Sequence, residues 1–282
     1  MLVVGGSAST KLAVDLAKEL NAEYTPATVK RFPDGECYVR IEKESLDDDV
    51  VIVQNSYPDE KLVELFLLQD AALGLGAKKV TNVIPYYGYA RQDERFNKGE
   101  PLSAKVMVEH IQMNADKVIM VDIHNHMMLD WFDEAEVVDT HAAPAIGRFY
   151  KDQGIDLVLA PDEGALKRAG WVAEVLNCEW DYLVKTRLSG TNVHITPKNI
   201  DAKNKKVLIV DDIISTGGTI VAATEELRRL GARSVSAACT HGLFVGGALD
   251  RLKKYCDKIT AANTLESEVS VISVAPEVAK AI

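Results

Sequence analysis

The residues best suited to chemistry lie in the segment Lys206-Val-Leu-Ile-Val-Asp-Asp-Ile-Ile-Ser-Thr-Gly-Gly-Thr219. An apolar run meets two carboxylates, Asp211 and Asp212, and then Ser215, Thr216, Gly217, Gly218 and Thr219 at the opening of a helical pattern. Glycines let backbone N–H groups come close to an anion, and a new helix offers free N–H groups with about half a positive charge. The three hydroxyls add donors. Carboxylates at the carboxyl end of a strand, where open α/β sheets bind ligands, can accept from sugar hydroxyls or hold a cation. A turn closed by an N-cap threonine needs neither paired aspartates nor two glycines, so the segment reads as a sugar-phosphate site. It is not a P-loop, because the chain has no Gly-Lys dipeptide, and a G-x-G-x-x-G fingerprint is absent as well.

Five further segments carry polar residues at strand ends or turns. Arg31-Phe-Pro-Asp-Gly-Glu36 is a turn sequence, in which Phe32 could stack on a base while Asp34 and Glu36 accept from an exocyclic amine. Tyr86-Tyr-Gly-Tyr-Ala-Arg-Gln-Asp93 offers three tyrosines with Arg91, Gln92 and, just beyond, Arg95. Such a loop suits a polyphosphate, since arginine donates in a fixed fork. In Asp122-Ile-His-Asn-His126 an exposed histidine could meet hydrated Mg²⁺ or a phosphate, whereas zinc lacks evident partner ligands. Asp162, in Pro161-Asp-Glu-Gly164, could bind a divalent ion, with a plain βα turn as the alternative. Lys185-Thr-Arg-Leu-Ser-Gly-Thr-Asn192 is a basic loop rich in breakers, which taken alone reads as solvated.

The elements that must position these groups alternate along the chain. Strands are expected at Leu2–Val4, Val50–Val53, Lys79–Ile84, Val118–Val121, Leu157–Ala160, Val207–Val210, Ser234–Ala238 and Val269–Val274. Helices are expected at Lys11–Leu20, Lys61–Leu75, Ala104–Met113, Pro144–Gln153, Leu166–Leu176 and Thr219–Leu230. Several strands are apolar throughout, which indicates burial on both faces and α/β layers around mostly parallel sheets. An internal echo links Val83–Arg91 with Leu159–Lys167 and Val118–Asp122 with Leu208–Asp212. It points to two related units joined near residues 139–148, giving domains at 1–143 and 144–282.

The chain has 282 residues, enough for two ordinary domains, and its 47% hydrophobic and 26% charged content is that of a globular protein. A net charge of -10 argues against nucleic acid as a bulk partner. Four scattered cysteines without a C-x-x-C pair read as reduced thiols. No apolar run is long enough to span a membrane, and a cytoplasmic location is expected. An acidic protein that binds phosphates must gather its cations locally or borrow metal ions.

Taken together and in order, the segments F-P-D-G-E, Y-Y-G-Y-A-R-Q-D, D-I-H, P-D-x-G, K-x-R and V-D-D-I-I-S-T-G-G-T resemble those of ribose-phosphate diphosphokinases, the 5-phosphoribosyl 1-diphosphate synthetases. The last motif alone would indicate only the wider phosphoribosyltransferase group. The resemblance implies an α/β fold of two phosphoribosyltransferase-like domains and transfer of the β,γ-diphosphoryl group of ATP to the 1-hydroxyl of ribose 5-phosphate, with AMP released. It implies an adenine site at Phe32, Asp34, Gly35 and Glu36, contributed by a neighbouring subunit of a homo-oligomer, and ATP phosphates held by Arg91 and Gln92. It further implies Mg²⁺ contacts from His124 and Asp162, ribose 5-phosphate bound by Arg187, Asp211, Asp212 and Ser215 to Thr219, and catalytic Lys185 and Arg187 on a mobile loop.

The chain departs from the family pattern in three places. Gly164-Ala165 replaces a Gly-Gly pair, His126-Met-Met-Leu-Asp-Trp131 replaces a stretch bearing Gln and Gly, and Phe96–Pro101 is shorter than the loop of regulated members. A phosphoribosyltransferase is the chief rival reading, but it leaves F-P-D-G-E and the His124 segment without a task. A catalytically silent subunit should have lost the K-x-R pair or the aspartates, which this chain keeps.

Overall fold

The computed structural model describes residues 1–46, 48–187, 193–197 and 200–282, with the backbone alone described for 184–187 and 193–197. The chain forms two compact units. One is Met1–His141 with Thr264–Glu266 and Ser273–Ile282, and the other is Ala142–Asn263 with Ser267–Ile272.

In the first unit, the strands are β1 (Leu2–Gly5), β2 (Glu23–Arg31), β3 (Cys37–Ile41), β4 (Val50–Val53), β5 (Val80–Ile84), β6 (Lys117–Val121) and β7 (Glu136–Thr140). They lie in the order β3-β2-β1-β4-β5-β6-β7, parallel except for the β2–β3 hairpin. The helices are α1 (Thr10–Glu19), α2 (Glu60–Gly74) and α3 (Ser103–Gln112). β1 and β4 are buried along their whole length, as apolar runs covered on both faces must be. Val4, Ile52, Ile84 and Met120 pack in one cluster with Leu65 and Leu68 of α2 and Ile111 of α3.

In the second unit, α4 (Ala143–Tyr150) leads to β8 (Leu157–Ala160), α5 (Leu166–Leu176), β9 (Glu179–Arg187) and β10 (Val193–Pro197). Then come β11 (Lys206–Ile214), α6 (Gly218–Arg229), β12 (Ser234–Gly242), α7 (Ala248–Leu252), β13 (Lys258–Ala262) and β14 (Ser270–Ile272). The order β10-β9-β8-β11-β12-β13-β14 repeats that of the first unit, strand for strand. The final helix α8 (Ala275–Ala279) returns to the first unit, where Ser273 Oγ donates to Asp15 at 3.0 Å.

The units are therefore related, but not in the register of the sequence echo. The topology matches β1 with β8 and β4 with β11, whereas the echo set the β5 segment beside that of β8 and the β6 segment beside that of β11. A strand followed by P-x-x-G occurs wherever a parallel strand feeds a tight turn, so that pattern identifies a βα unit and not its place in the sheet.

Every expected helix forms, within three residues at either end. The strands β2, β3, β7, β9, β10 and β13 were not expected. β2 and β3 form a half-exposed hairpin at the sheet edge, and their polar sequences lack a continuous apolar run. The expectation of a loop beginning at Lys185 also needs correction. β9 continues through Arg187 because its backbone pairs with β10, Lys185 opposite Ile195 and Arg187 opposite Val193.

Candidate active site

In the second unit, the carboxyl ends of β8 and β11 carry the acids. β11 is longer than expected because its pairing with β12 runs on through Asp211–Cys239 to Ile214–Gly242. Asp211 and Asp212 therefore sit within the strand, held by the ladder. Each carboxylate is fixed by a following amide: Asp212 N–H donates to Asp211 Oδ1 at 3.0 Å, and Ile213 N–H donates to Asp212 Oδ1 at 2.8 Å. Burial, reinforced by the neighbouring Asp212 charge and then by Asp162, pushes the Asp211 carboxyl well above the usual carboxylate range.

One cation enters this acidic cluster that sequence reasoning missed. Arg168, on α5, places Nη2 3.7 Å from Asp212 Oδ2, and the two side chains retain only 13% and 12% of their exposure. Its signal was available: Arg168 follows P-D-E-G by one turn of a helix, which puts it close to the strand ends.

Asp162 stands extended, just ahead of the short helical turn Glu163–Ala165. A Cβ at Gly164 would lie 3.3 Å from Asp162 Oδ1, so the glycine leaves room for that carboxylate. Ala165, one of the departures from the family pattern, is buried.

The loop Ser215 to Thr219 is braced from behind. Arg251 Nη2 donates to Thr216 O at 2.6 Å and Val245 N–H donates to Ser215 O at 3.1 Å. Gly217, with φ +74°, caps α6 against Leu252, a conformation that glycine adopts without strain. At Gly218 a Cβ would meet nothing within 4 Å. The first amides of α6 thus border open space beside two acids, and helix starts leave such amides without intrahelical acceptors. Lys185 and Arg187 belong to β9, but their side chains, like all of residues 188–192, lie outside the described residues.

In the first unit, Phe32 to Glu36 forms the β2–β3 turn. Phe32 N–H donates to Glu36 O and Gly35 N–H to Phe32 O, both at 2.9 Å, while Glu36 N–H donates to Asp34 Oδ1 at 3.1 Å. Gly35 takes φ +94°. The Phe32 ring is 45% exposed and meets Tyr38 edge-on. Phe32, Asp34 and Glu36 all stand at the surface of the turn.

Two of the three tyrosines of the β5–α3 loop turn inward, while Tyr89 is 38% exposed. Tyr86 and Tyr87 are buried, and Tyr87 Oη donates to Ala104 O at 2.8 Å, so they anchor the loop. Arg91 is exposed, and Gln92 is set by the N-terminus of α3, accepting from Ser103 Oγ at 2.9 Å. The same loop reaches the D-I-H segment, where Asn125 Nδ2 donates to Asp93 Oδ2 at 2.6 Å. Arg91, Gln92 and exposed His124 thus lie on two loops tied to one another. Among the described residues, no three His, Cys, Asp or Glu side chains stand close enough to hold a metal ion by themselves. No described helix is long and apolar enough to cross a membrane.

Comparison with known proteins accords with this geometry. Residues 1–114 match the family model described as the N-terminal domain of ribose phosphate pyrophosphokinase, and residues 130–278 match the phosphoribosyl transferase domain. The ribose-phosphate pyrophosphokinase of Pyrococcus furiosus is 43% identical over 281 residues, covering 99% of each chain. That of Methanopyrus kandleri is 42% identical over 288 residues, covering 100% of this chain and 98% of the other. Among solved structures, phosphoribosylpyrophosphate synthetase from Mycobacterium smegmatis superposes with a TM-score of 0.82 at 29% identity, covering 99% of this chain and 97% of the other. Related along essentially its whole length to enzymes of one kind, the chain belongs to the ribose-phosphate pyrophosphokinase family.

Proposed function

We propose the following division of labour for the reaction of this family, the transfer of the β,γ-diphosphoryl group of ATP to ribose 5-phosphate. Ser215, Thr216, Gly217, Gly218 and Thr219 hold the 5-phosphate on the amides that open α6, and Asp211 and Asp212 accept from the ribose hydroxyls. The carrying observation is the open space at Gly218 beside two acids fixed by the β11 ladder. Arg91 and Gln92 hold the ATP phosphates. Phe32, Asp34, Gly35 and Glu36 take the adenine of a neighbouring subunit, which suits an aromatic left 45% exposed on an edge hairpin.

The donor set fits Mg²⁺. Asp162, Asp211 and Asp212 offer hard carboxylate oxygens at neighbouring strand ends, and Mg²⁺ is commonly held by one or two carboxylates together with substrate phosphates, not by an all-protein cage. Asp162 in the second unit and His124 in the first would each contact Mg²⁺, which when bound with ATP neutralises phosphate charge.

The chain's own contribution is positioning and electrostatic stabilisation, the usual means of accelerating phosphoryl chemistry. The ribose 1-hydroxyl oxygen attacks the β-phosphorus and gives up its proton to water, the bond from that phosphorus to the α-phosphate oxygen breaks, and AMP leaves. Lys185 and Arg187 supply positive charge to the oxygens of the diphosphoryl group in flight, where preorganised donors are worth most. The reading is tested by incubating the protein with Mg-ATP and ribose 5-phosphate and separating nucleotides. AMP formed in step with the phosphoribosyl product supports it. Absence of AMP, with diphosphate released from the phosphoribosyl product plus a base, would show a phosphoribosyltransferase instead.

A further inference from the structure

We propose that His141 is a positioning residue for this reaction, holding the Asp122–His124 turn that presents His124. The end of β7 forms a rail in which three successive residues contact the turn. Asp139 Oδ1 accepts from Ile123 N–H at 3.0 Å, Thr140 O accepts from Asp122 N–H at 2.8 Å, and His141 Nδ1 meets Asp122 Oδ1 at 3.0 Å. On the other side, Asn125 donates to Asp93 and its Oδ1 accepts from Met127 N–H at 3.0 Å.

The rail holds a conformation that the turn would not keep alone. Asp122 has φ +47°, a left-handed backbone that costs a non-glycine residue about 1–2 kcal/mol and persists only where surroundings over-determine it. The means are also expensive. The Asp122 and Asp139 side chains are 1% and 2% exposed, so two carboxylates are buried to fix one turn. Glycine at 122 would hold the same φ with neither strain nor charge. A carboxylate gripping an imidazole instead stiffens the turn two residues before His124, so that His141 acts on His124 through the backbone of the turn. With Nδ1 committed to Asp122, the His141 ring is a donor there, and it lies edge-on to His126 with ring centres 6.0 Å apart.

This inference rests on the assignment of His124 to the phosphate and Mg²⁺ end of the site. It is tested with His141→Leu, which fills the space without a donor, and His141→Asn, whose amide reaches where Nδ1 lies. Mn²⁺ binding in the presence of a non-hydrolysable ATP analogue is read by electron paramagnetic resonance, beside kcat and the KM for ribose 5-phosphate. His141→Leu should weaken Mn²⁺ binding and lower kcat by about 10–100-fold, leaving the ribose 5-phosphate KM within about twofold. His141→Asn should bring both back to within about threefold of the parent. If His141→Leu does not fold, His141→Ala takes its place. Parent-like Mn²⁺ binding in the donorless variant, while His124→Ala loses it, would overturn the role of His141 alone. An equal loss in the Asn and Leu variants would overturn it too. If His124→Ala itself binds Mn²⁺ and turns over like the parent, the assignment of His124 fails first and the inference falls with it.

Discussion

Arg168→Gln tests the electrostatics of the acidic cluster directly. The guanidinium lies 3.7 Å from Asp212 Oδ2 with both side chains close to nine-tenths buried. At an effective dielectric constant of about 20, unit charges at this separation attract by about 4–5 kcal/mol. Removing one partner of a buried pair costs about 3–5 kcal/mol, because the remaining charge stays desolvated. Some water still reaches this pair, so the expected loss is about 2–3 kcal/mol. For a unit of this size, with about 2.1 cal/mol/K of unfolding entropy per residue, each kcal/mol moves the melting temperature by about 3–4 °C. Calorimetry of the ligand-free protein at neutral pH should therefore show a melting temperature lower by about 6–12 °C. The Asp212 carboxylate would also lose its orientation, so titration with ribose 5-phosphate should give a Kd raised by about tenfold, near 1.4 kcal/mol. Arg168→Lys should fall between the two, since it restores charge without the guanidinium's reach. A variant that melts within about 2 °C of the parent and binds ribose 5-phosphate equally well would refute the claim that Arg168 supports Asp212.

Asp211 has a raised carboxyl in the folded state, so its stabilising contribution is complete below the ordinary aspartate range and is lost as pH rises through the folded value. Asp211→Asn should therefore melt higher than the parent at pH 8, with a smaller gain at pH 4, while losing ribose 5-phosphate binding. Lys185→Ala should lower kcat by about 10²–10⁴ with a smaller effect on substrate binding, and unchanged turnover would remove Lys185 from the mechanism. Gly218→Ala adds a methyl to open space at a helix start, so the melting temperature should hold while the KM for ribose 5-phosphate rises. An unchanged KM would mean that the 5-phosphate does not lie there. Mixed oligomers of Phe32→Ala and Lys185→Ala subunits should regain activity that neither parent variant has, if the adenine site is shared between subunits. Lack of recovery in verified mixed oligomers would place both groups in one chain's site.

What could be read from the sequence followed from burial. β1, β4 and β8 are covered on both faces, so nearly every residue in them is apolar and the strands declare themselves. β2, next to the edge strand β3, is mostly exposed or half-buried, and its Glu23 to Arg31 sequence carries no comparable signal. The loops at the strand ends were legible because Gly, Asp and Thr at fixed offsets meet backbone demands, as at Gly217 and Gly35. Arg168 and His141 escaped notice because each acts through a partner distant in sequence, Asp212 and Asp122, which only the tertiary fold brings close. The tyrosines misled for the opposite reason: Tyr86 and Tyr87 stand beside polar residues in sequence but turn inward.

The repeated topology raises the question of why the ribose 5-phosphate site proposed above lies in the second unit when the first has loops at the matching strand ends. The side chains give an answer. After β1, Ser7 N–H and Oγ donate to the buried Glu64 carboxylate at 2.6 and 2.7 Å, and Lys61 Nζ donates to Ser7 Oγ at 2.7 Å. Gly6 is pressed against Gln54, whose Oε1 accepts from Ala8 N–H at 3.0 Å. After β4, Asn55 and Ser56 are buried, and Ser56 Oγ accepts from Gly88 N–H at 2.7 Å. An internal carboxylate thus takes the donors that an anion would need, and neighbouring loops close over the rest. After β11 the equivalent loop keeps Thr216 and Gly218 exposed and leaves open space at Gly218. The pair that bears on the proposed phosphate site is β4 with β11: after β4, Asn55 is buried and Ser56 Oγ is taken by Gly88 N–H, whereas after β11 Thr216 and Gly218 stay exposed, as a loop that receives an anion must.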